Sequence, residues 1–285
     1  MIEQVLVCPP EERLLDRLRR RAVVIRLDDP ARMPALASRV QRDNHLHAFW
    51  LSWPEAVSAL PADGWPSAPV VVYADTLGPV RDLVRVLPLL RRSGISVLLT
   101  SDHEENFVGA SLLASLRVHA GIFFGRRPIS WDRLGTLMHH AVYSRASHAP
   151  VEPFEYILSR YDPASYTSPG GAYFDDPRRF LHLDAEGRIA LSPDDLRAGV
   201  FAAGSLEQLD DTPALPAYRE RMRAWHQVFL GRETCAYCPS WRICLGAFKA
   251  ERAEGRGCED FFSELLDAAD WRRQLHAGNG GAPWP

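Results

Sequence analysis

The chain has 285 residues, of which 46% are hydrophobic and 24% are charged, and its formal net charge is −3. This length and composition predict a globular protein of one large or two ordinary domains. Without a polybasic run, the charge pattern indicates neither a nucleic-acid partner nor an anionic membrane surface. Residues 1–10 contain no secretory apolar segment. No apolar run approaches the roughly 18 residues of a membrane helix, so we expect a cytoplasmic protein.

In the first half of the chain, short apolar runs alternate with helical patterns. Strands are predicted at residues 22–27, 45–53, 69–74, 95–100 and 121–125. Helices are predicted at residues 13–21, 80–92, 111–116 and 131–144, the second of them kinked at Pro88. Strands without clean alternation that are separated by helices indicate a parallel sheet covered on both faces. Because four or five such units are too few for an eight-stranded barrel, the predicted fold class is α/β with a partial barrel or an open sheet.

The pattern changes after Pro150. Residues 180–184 and 188–191 predict a hairpin, and residues 213–230 predict one long helix. The Pro-, Ser- and Gly-rich residues 162–171 are expected to form a loop. We therefore place a domain boundary near residue 150, between an α/β domain at residues 1–150 and a smaller α+β domain at residues 151–285.

Four of the five cysteines, Cys235, Cys238, Cys244 and Cys258, fall within 24 residues near the carboxyl end. In a reducing compartment such crowding indicates a metal site more than a pair of disulfides. A tight turn at Cys235-x2-Cys238 can direct two sulfurs at one centre. Zinc prefers two close pairs, whereas thirteen residues separate Cys244 from Cys258. An iron–sulfur cluster accepts irregular spacing, so it is the favoured ligand and zinc is the alternative.

Other candidate sites carry weaker signals. Asp102-His103-Glu104-Glu105 follows a strand end, the usual place of α/β active sites, although a capping and loop role is the simpler interpretation. His45 and His47 share one strand face and could pair on a metal, but a partly buried strand pair is the simpler interpretation. The adjacent His139 and His140 diverge by about 100° on a helix, so they cannot chelate together. No phosphate-binding or nucleophile-elbow motif stands at a strand–helix junction. Phe49, Trp50 and Trp53 are interpreted as core, and Cys8 as a thiol without a role.

Three motifs in the second half occur in a recognisable order. They are residues 183–189 (Leu-Asp-Ala-Glu-Gly-Arg-Ile), then Gly204-Ser205-Leu206, then Cys235-x2-Cys238-x5-Cys244 with its Leu-Gly-Ala tail. Over about 100 residues, this half resembles the SPASM domain, the auxiliary iron–sulfur extension of radical SAM peptide maturases. The resemblance implies that Cys235, Cys238, Cys244 and Cys258 hold one auxiliary [4Fe–4S] cluster. Two further SPASM cysteines are missing, because Ser192-Pro193 follows the hairpin and Phe248 occupies the other position.

The first half resembles the radical SAM partial barrel through residues 73–79 (Tyr-Ala-Asp-Thr-Leu-Gly-Pro), 91–94 and 97–102. Radical SAM chemistry needs Cys-x3-Cys-x2-Cys, and this half offers only Cys8. Asp75-Thr76-Leu77 also replaces the glycines and acid that would receive the methionine amino group of S-adenosylmethionine. The chain therefore looks like a radical SAM scaffold that lost its catalytic cluster and kept one auxiliary site.

Two functions of different classes are open, of which the resemblance implies the first. In the first, the protein is a non-catalytic partner in the maturation of a ribosomally made peptide, and it binds a precursor peptide or a true radical SAM enzyme. Contact is expected at residues 75–79 and 102–106, with addition of a peptide to a sheet edge as the simplest mode. In the second, the protein is an enzyme that uses the acidic strand-end loops, with the four-cysteine site as structural zinc.

Overall fold

The computed structural model describes residues 4–61, 63–92, 94–124, 128–231, 235, 237–245 and 257–278. Within them, nine strands form one sheet in the order β7-β6-β5-β4-β3-β2-β1-β8-β9, where all neighbours are parallel except β8 and β9. The strands are β1 Val5–Cys8, β2 Ala22–Leu27, β3 His45–Ala56, β4 Val70–Thr76, β5 Ile95–Thr100, β6 His119–Phe123, β7 Val151–Glu152, β8 Phe180–Leu183 and β9 Ile189–Ala190.

The described helices connect these strands or follow the sheet. They are α1 Glu12–Arg17, α2 Met33–Val40, α3 Val80–Leu90, α4 Glu105–Ser115, α5 Trp131–Tyr143, α6 Phe154–Arg160, α7 Pro193–Ala198, α8 Pro216–Gly231, α9 Trp241–Cys244 and α10 Cys258–Gly278. The prediction of an α/β fold built on a mainly parallel sheet is confirmed.

Several predicted boundaries were wrong for local reasons. Helix α1 ends at Arg17 instead of residue 21, because Leu18 is extended (φ −78°, ψ 130°) and Arg20 has a left-handed φ of 54°. Helix α4 begins at Glu105 instead of residue 111, and β6 begins at His119 instead of residue 121. The predicted strand end at residue 125 lies outside the described residues.

The two faces of the sheet are covered differently. One face packs against the helices, where Phe49, Val72 and Val97 join the buried side chains of α1 to α6 and α10 in one continuous core. The opposite face has a smaller cluster, in which Val7, Val24 and Ala48 are buried with Phe174 and Phe180. We call this second side the Phe174 face. Both faces therefore carry buried clusters, and the second one is packed by an irregular segment around Phe174 and not by helices.

The sheet continues across the expected domain boundary near residue 150. Strand β8 pairs in parallel with β1, through Val5 with Phe180 and Val7 with His182. Helix α10 packs against α5 and α6, where Trp131 contacts Phe261 at 5.5 Å between ring centroids. The boundary stays a prediction, and within the described residues the two halves share one sheet.

Candidate functional site

The first two cysteines of the carboxyl-terminal segment share one turn. The backbone N–H of Cys238 donates to the carbonyl of Cys235 at 3.3 Å, and the carbonyl of Cys238 accepts from Trp241 at 3.2 Å. Cys244 ends α9 and Cys258 begins α10. Cys244 is 9% exposed and the other three are half-buried. The turn predicted at Cys235-x2-Cys238 is therefore present.

The donor chemistry of this segment suits a thiolate-ligated metal, because soft sulfur ligands select zinc and iron–sulfur centres. No disulfide joins any of the five cysteines, all of which are described. Within the described residues, no three His, Cys, Asp or Glu side chains form a group that could hold a metal ion. Much of the connecting chain, including Phe248 and the Gly246-Ala247 tail of the motif, lies outside the described residues. Ligation by Cys235, Cys238, Cys244 and Cys258 remains a prediction.

The cysteine segment is docked on the loop that precedes the Phe174 face. Trp241 packs edge-on against Tyr166, with ring centroids 5.4 Å apart and an interplanar angle of 90°. The N–H of Thr167 donates to the carbonyl of Arg242 at 3.2 Å. Residues 162–171, expected to be a loop, contain only a short 3₁₀ turn that begins at Pro169. A change in the cysteine segment can therefore be transmitted to Tyr166 by direct contact.

The two strand-end loops of the sequence hypothesis lie side by side. The buried Asn106 donates from Nδ2 to the carbonyls of Asp75 and Thr100, both at 2.8 Å, and so fixes the first turn of α4 to the carboxyl ends of β4 and β5. Asp75, Glu104 and Glu105 are exposed. Arg133 lies 3.8 Å from Glu104, a long and exposed ion pair. This is an acidic, well-supported edge, and it suits contact with a partner better than proton transfer.

A group of polar side chains on the Phe174 face was missed by the sequence reasoning. Arg26 of β2 lies opposite Trp50 of β3 in the strand register. The centroid of the Trp50 ring lies 4.8 Å from that of Tyr73 and 6.2 Å from that of His182. Trp50 Nε1, Tyr73 Oη and His182 Nδ1 are buried and have no hydrogen-bond partner among the described residues. Buried polar atoms are rarely left unpaired, so this group is a place where water or a ligand would bind.

Asp175 adds a carboxyl to this group. Its residue surface is exposed, yet the protein around it is dense enough for desolvation to raise its pKa to about 7, with the nearby Asp194 adding to the rise. Burial raises the pKa of Tyr73 well above its usual value, and the charge of Asp175 raises it further.

His182 is neutral in this environment. Burial lowers its pKa to about 4, although a hydrogen bond of 2.8 Å from Nε2 to the carbonyl of Phe174 opposes that shift. The Nε2 atom therefore carries the proton, and Nδ1 is a bare acceptor. Two signals in the sequence marked this group: Arg26 is charged within the apolar run at residues 22–27, and His182 interrupts the strand at residues 180–183. Trp50, interpreted as core, is half-buried with its indole N–H unpaired.

Other described histidines have structural partners or line a cavity. His139 forms an ion pair with Glu264, and the His140 ring lies 5.0 Å from that of His148. His45 and His47, predicted to share a face, both line a cavity at the amino ends of the strands. His139 and His140 therefore have separate partners, as their divergence on the helix predicts.

Comparison with protein-family models, with curated proteins and with solved structures gave no match. Among the helices within the described ranges, none has both the length and the apolar character needed to cross a bilayer.

Proposed function

We propose that this protein is a non-catalytic partner in the maturation of a ribosomally made peptide. In this proposal residues 1–150 are a degenerate radical-SAM-like partial barrel and residues 151–285 are a SPASM-like module. Cys235, Cys238, Cys244 and Cys258 would hold one [4Fe–4S] cluster, which when bound supplies a structural centre or a relay for electrons. The partner is a precursor peptide, a true radical SAM enzyme, or both. The observation that carries the proposal is the environment of Cys8.

Cys8 ends β1 and is the only cysteine of the first half. Its side chain is fully buried on the helix-covered side of the sheet, where its S–H donates to the carbonyl of Val24 at 3.8 Å. Burial raises its pKa to about 12, so the thiol stays protonated at neutral pH. Iron is bound by thiolates, and an open catalytic cluster needs three of them. This supports a first half without a catalytic cluster.

The edges of the sheet argue against strand addition as the mode of association. Strands β7 and β9 at the two edges have only two residues each. In β9, the N–H of Ile189 donates to the carbonyl of Ala203 and its carbonyl accepts from the N–H of Ala202. Near the other edge, Tyr173 Oη donates to the carbonyl of Ile122 in β6 at 2.6 Å. Short and covered edges resist the addition of a strand. The expectation of edge-strand addition is therefore replaced by contact through the loops.

The loops at residues 75–79 and 102–106 are the proposed contact surface. They are followed along the chain by exposed apolar side chains: Val80 and Val84 on α3 are 58% and 73% exposed, and Val108 on α4 is 62% exposed. Exposed carboxylates beside exposed apolar groups are typical of a contact surface with a charged rim and an apolar centre. Affinity for such a transient partner is expected to be roughly micromolar, or about 8 kcal/mol.

Asp175 favours one alternative function. An accessible carboxyl whose pKa lies near 7, beside the phenol of Tyr73, is poised for acid–base chemistry. In this alternative the protein is an enzyme that uses the carboxyl of Asp175 on the Phe174 face, and the four cysteines hold structural zinc. This alternative predicts that the isolated chain turns over a small molecule and that the Asp175→Asn variant loses this activity.

The test is co-purification with the radical SAM enzyme and the precursor peptide encoded beside its gene. Asp102→Arg combined with Glu104→Lys should weaken the complex, and Glu220→Lys, an exposed carboxylate on α8, is the matched control. The isolated chain with dithionite should form no 5′-deoxyadenosine from S-adenosylmethionine. Absence of a complex with either partner, or formation of that nucleoside, would overturn the proposal.

A further inference from the structure

A cavity of about 430 Å³ opens at the end of the sheet opposite to the strand-end loops. Val5, Ala22 and His45 line it, and they are the first residues of the parallel strands β1, β2 and β3. His47 of β3 also lines it, and the rest of its wall comes from α6 and from the residues before β8: Tyr156, Arg160, Tyr166, Asp176, Arg178 and Arg179. This volume lies within the range of about 300–1,000 Å³ that small ligands occupy.

The charges on the wall do not balance. Three arginines face the cavity against one carboxylate, Asp176. Arg178 neutralises Asp176, since its guanidinium donates from Nη2 at 2.6 Å and from Nε at 2.9 Å. Arg160 and Arg179 have no carboxylate partner among the described residues. The cavity therefore has a net positive charge supplied by two arginines.

Both of these guanidinium groups are held by an aromatic ring. The Arg160 guanidinium carbon lies 4.4 Å above the Tyr156 ring, and that of Arg179 lies 5.2 Å from the Phe180 ring. Stacking on a ring uses the face of a guanidinium and leaves the N–H groups at its edge available. On Arg160, Nη1 already donates to Ser159 Oγ at 3.3 Å, so its other edge nitrogens are the available donors. Those edges match the paired oxygens of a carboxylate or a phosphate. The side chains of Tyr156 and Tyr166 line the same space.

We propose that this cavity binds the anionic oxygens of a ligand, as a carboxylate or a phosphate. The anion bonds to Arg160 and Arg179, and the imidazole of the exposed His45 lies on the same wall. The anion comes from a small free molecule or from an acidic side chain of a bound peptide. Because Tyr166 also packs on Trp241 between Cys238 and Cys244, the cavity shares a wall with the cysteine segment.

The experiment measures binding by isothermal titration calorimetry at constant ionic strength. The probes are citrate, inorganic phosphate and hexaglutamate, with hexalysine as the cationic control. We expect saturable binding of at least one anionic probe and none of hexalysine. Preference for citrate or phosphate assigns the site to small anions, and preference for hexaglutamate assigns it to acidic peptides. Failure of all three anionic probes to bind would overturn the proposal.

The variants locate the site. Arg160→Gln with Arg179→Gln should weaken binding by at least about tenfold, because two charge-assisted contacts are lost. Arg145→Gln removes an exposed positive charge elsewhere and should leave binding unchanged. Arg160→Gln alone changes an exposed side chain, so it tests the site even where the double variant does not fold. Equal affinities of the wild type and the folded Arg160→Gln protein would reject this cavity as the site. Because none of these outcomes involves the partner enzyme, they are independent of the proposed function.

Discussion

The side-chain amide of Asn106 donates a hydrogen bond of 2.8 Å to the backbone carbonyl of Asp75, and so joins the first turn of α4 to the carboxyl end of β4. The same Nδ2 atom donates at 2.8 Å to the carbonyl of Thr100, at the end of β5. Asn106 is fully buried. One amide thus determines how the two loops of the proposed contact surface lie relative to each other.

Replacing Asn106 should destabilise the fold. Asn106→Ala leaves two carbonyls without their donor, and we expect a loss of about 1–3 kcal/mol in the free energy of unfolding. Urea denaturation measures this loss. Asp75→Ala is the matched control, since the acceptor is the backbone carbonyl of Asp75, and it should change stability by no more than about 0.5 kcal/mol. Equal losses in the two variants would show that the amide does not carry the link.

The predicted cluster is expected to depend on the four cysteines near the carboxyl end and not on Cys8. Anaerobic reconstitution with iron and sulfide should give a brown protein, and Cys238→Ala should lose the broad visible absorbance. Cys8→Ala should keep that absorbance, because Cys8 is buried in β1 as a thiol. Metal analysis provides the second readout. Stoichiometric zinc with no iron would contradict the predicted cluster and show that the four cysteines form a structural zinc site.

The elements with strong local patterns were predictable from the sequence. Strands β2, β4 and β5 and helices α3 and α5 follow runs of apolar residues whose period and flanking residues decide their type. Strand β1 was missed because four residues are too short for any period, and α2 because Pro34 stands in its first turn. Local pattern therefore determines the longer elements, whereas packing determines the short ones.

Arg26 and His182 stand out within apolar strand patterns, but how the polar group on the Phe174 face comes together could not be predicted from local pattern. Trp50 lies opposite Arg26 only because the register of β3 against β2 shifts between Val23 and Val24. That irregularity has no marker in the sequence. Asp175 belongs to no strand or helix, and its environment depends on the distant Asp194 and Arg221. Contacts between residues so far apart in the chain exist only after folding.

Asp175 should make stability depend on pH. Desolvation and the nearby Asp194 raise its pKa from 3.8 to about 7. Between these pH values the folded protein retains a proton that the unfolded chain has released, so this group lowers the free energy of unfolding as pH rises from about 4 to about 7. In Asp175→Asn that loss is absent. The variant should match the wild type near pH 4 and be more stable above pH 7. Because the carboxyl is exposed, solvent screening makes this difference in the free energy of unfolding smaller than the pKa shift alone would give.

Chemical denaturation of both proteins across pH 4–8 measures the difference. His182, whose pKa burial lowers to about 4, opposes this trend in the wild type because stability falls as pH drops below its ordinary value of 6.5. It contributes equally to both proteins, and the difference between them isolates Asp175. Glu220→Gln, which alters an exposed carboxyl on α8, is the control and should follow the wild type at every pH. A pH-independent difference for Asp175→Asn would assign the effect to packing.

Gly121 provides a steric test of the sheet at β7. A Cβ atom at this position would lie 2.6 Å from the carbonyl oxygen of Glu152 and 2.9 Å from Leu98 Cδ2. Backbone cannot yield as a flexible side chain does, so Gly121→Ala should displace β7 and lower the free energy of unfolding by about 1–3 kcal/mol. The displacement should also disturb the contact of 3.3 Å between His119 Nε2 and Glu152 Oε1. Gly204→Ala meets only Gln208 Oε1, at 3.9 Å, so it should change stability by no more than about 0.5 kcal/mol. Thermal and urea unfolding of the two variants measure these changes in stability. A Gly121→Ala variant as stable as the wild type would show that β7 is free to move away from β6.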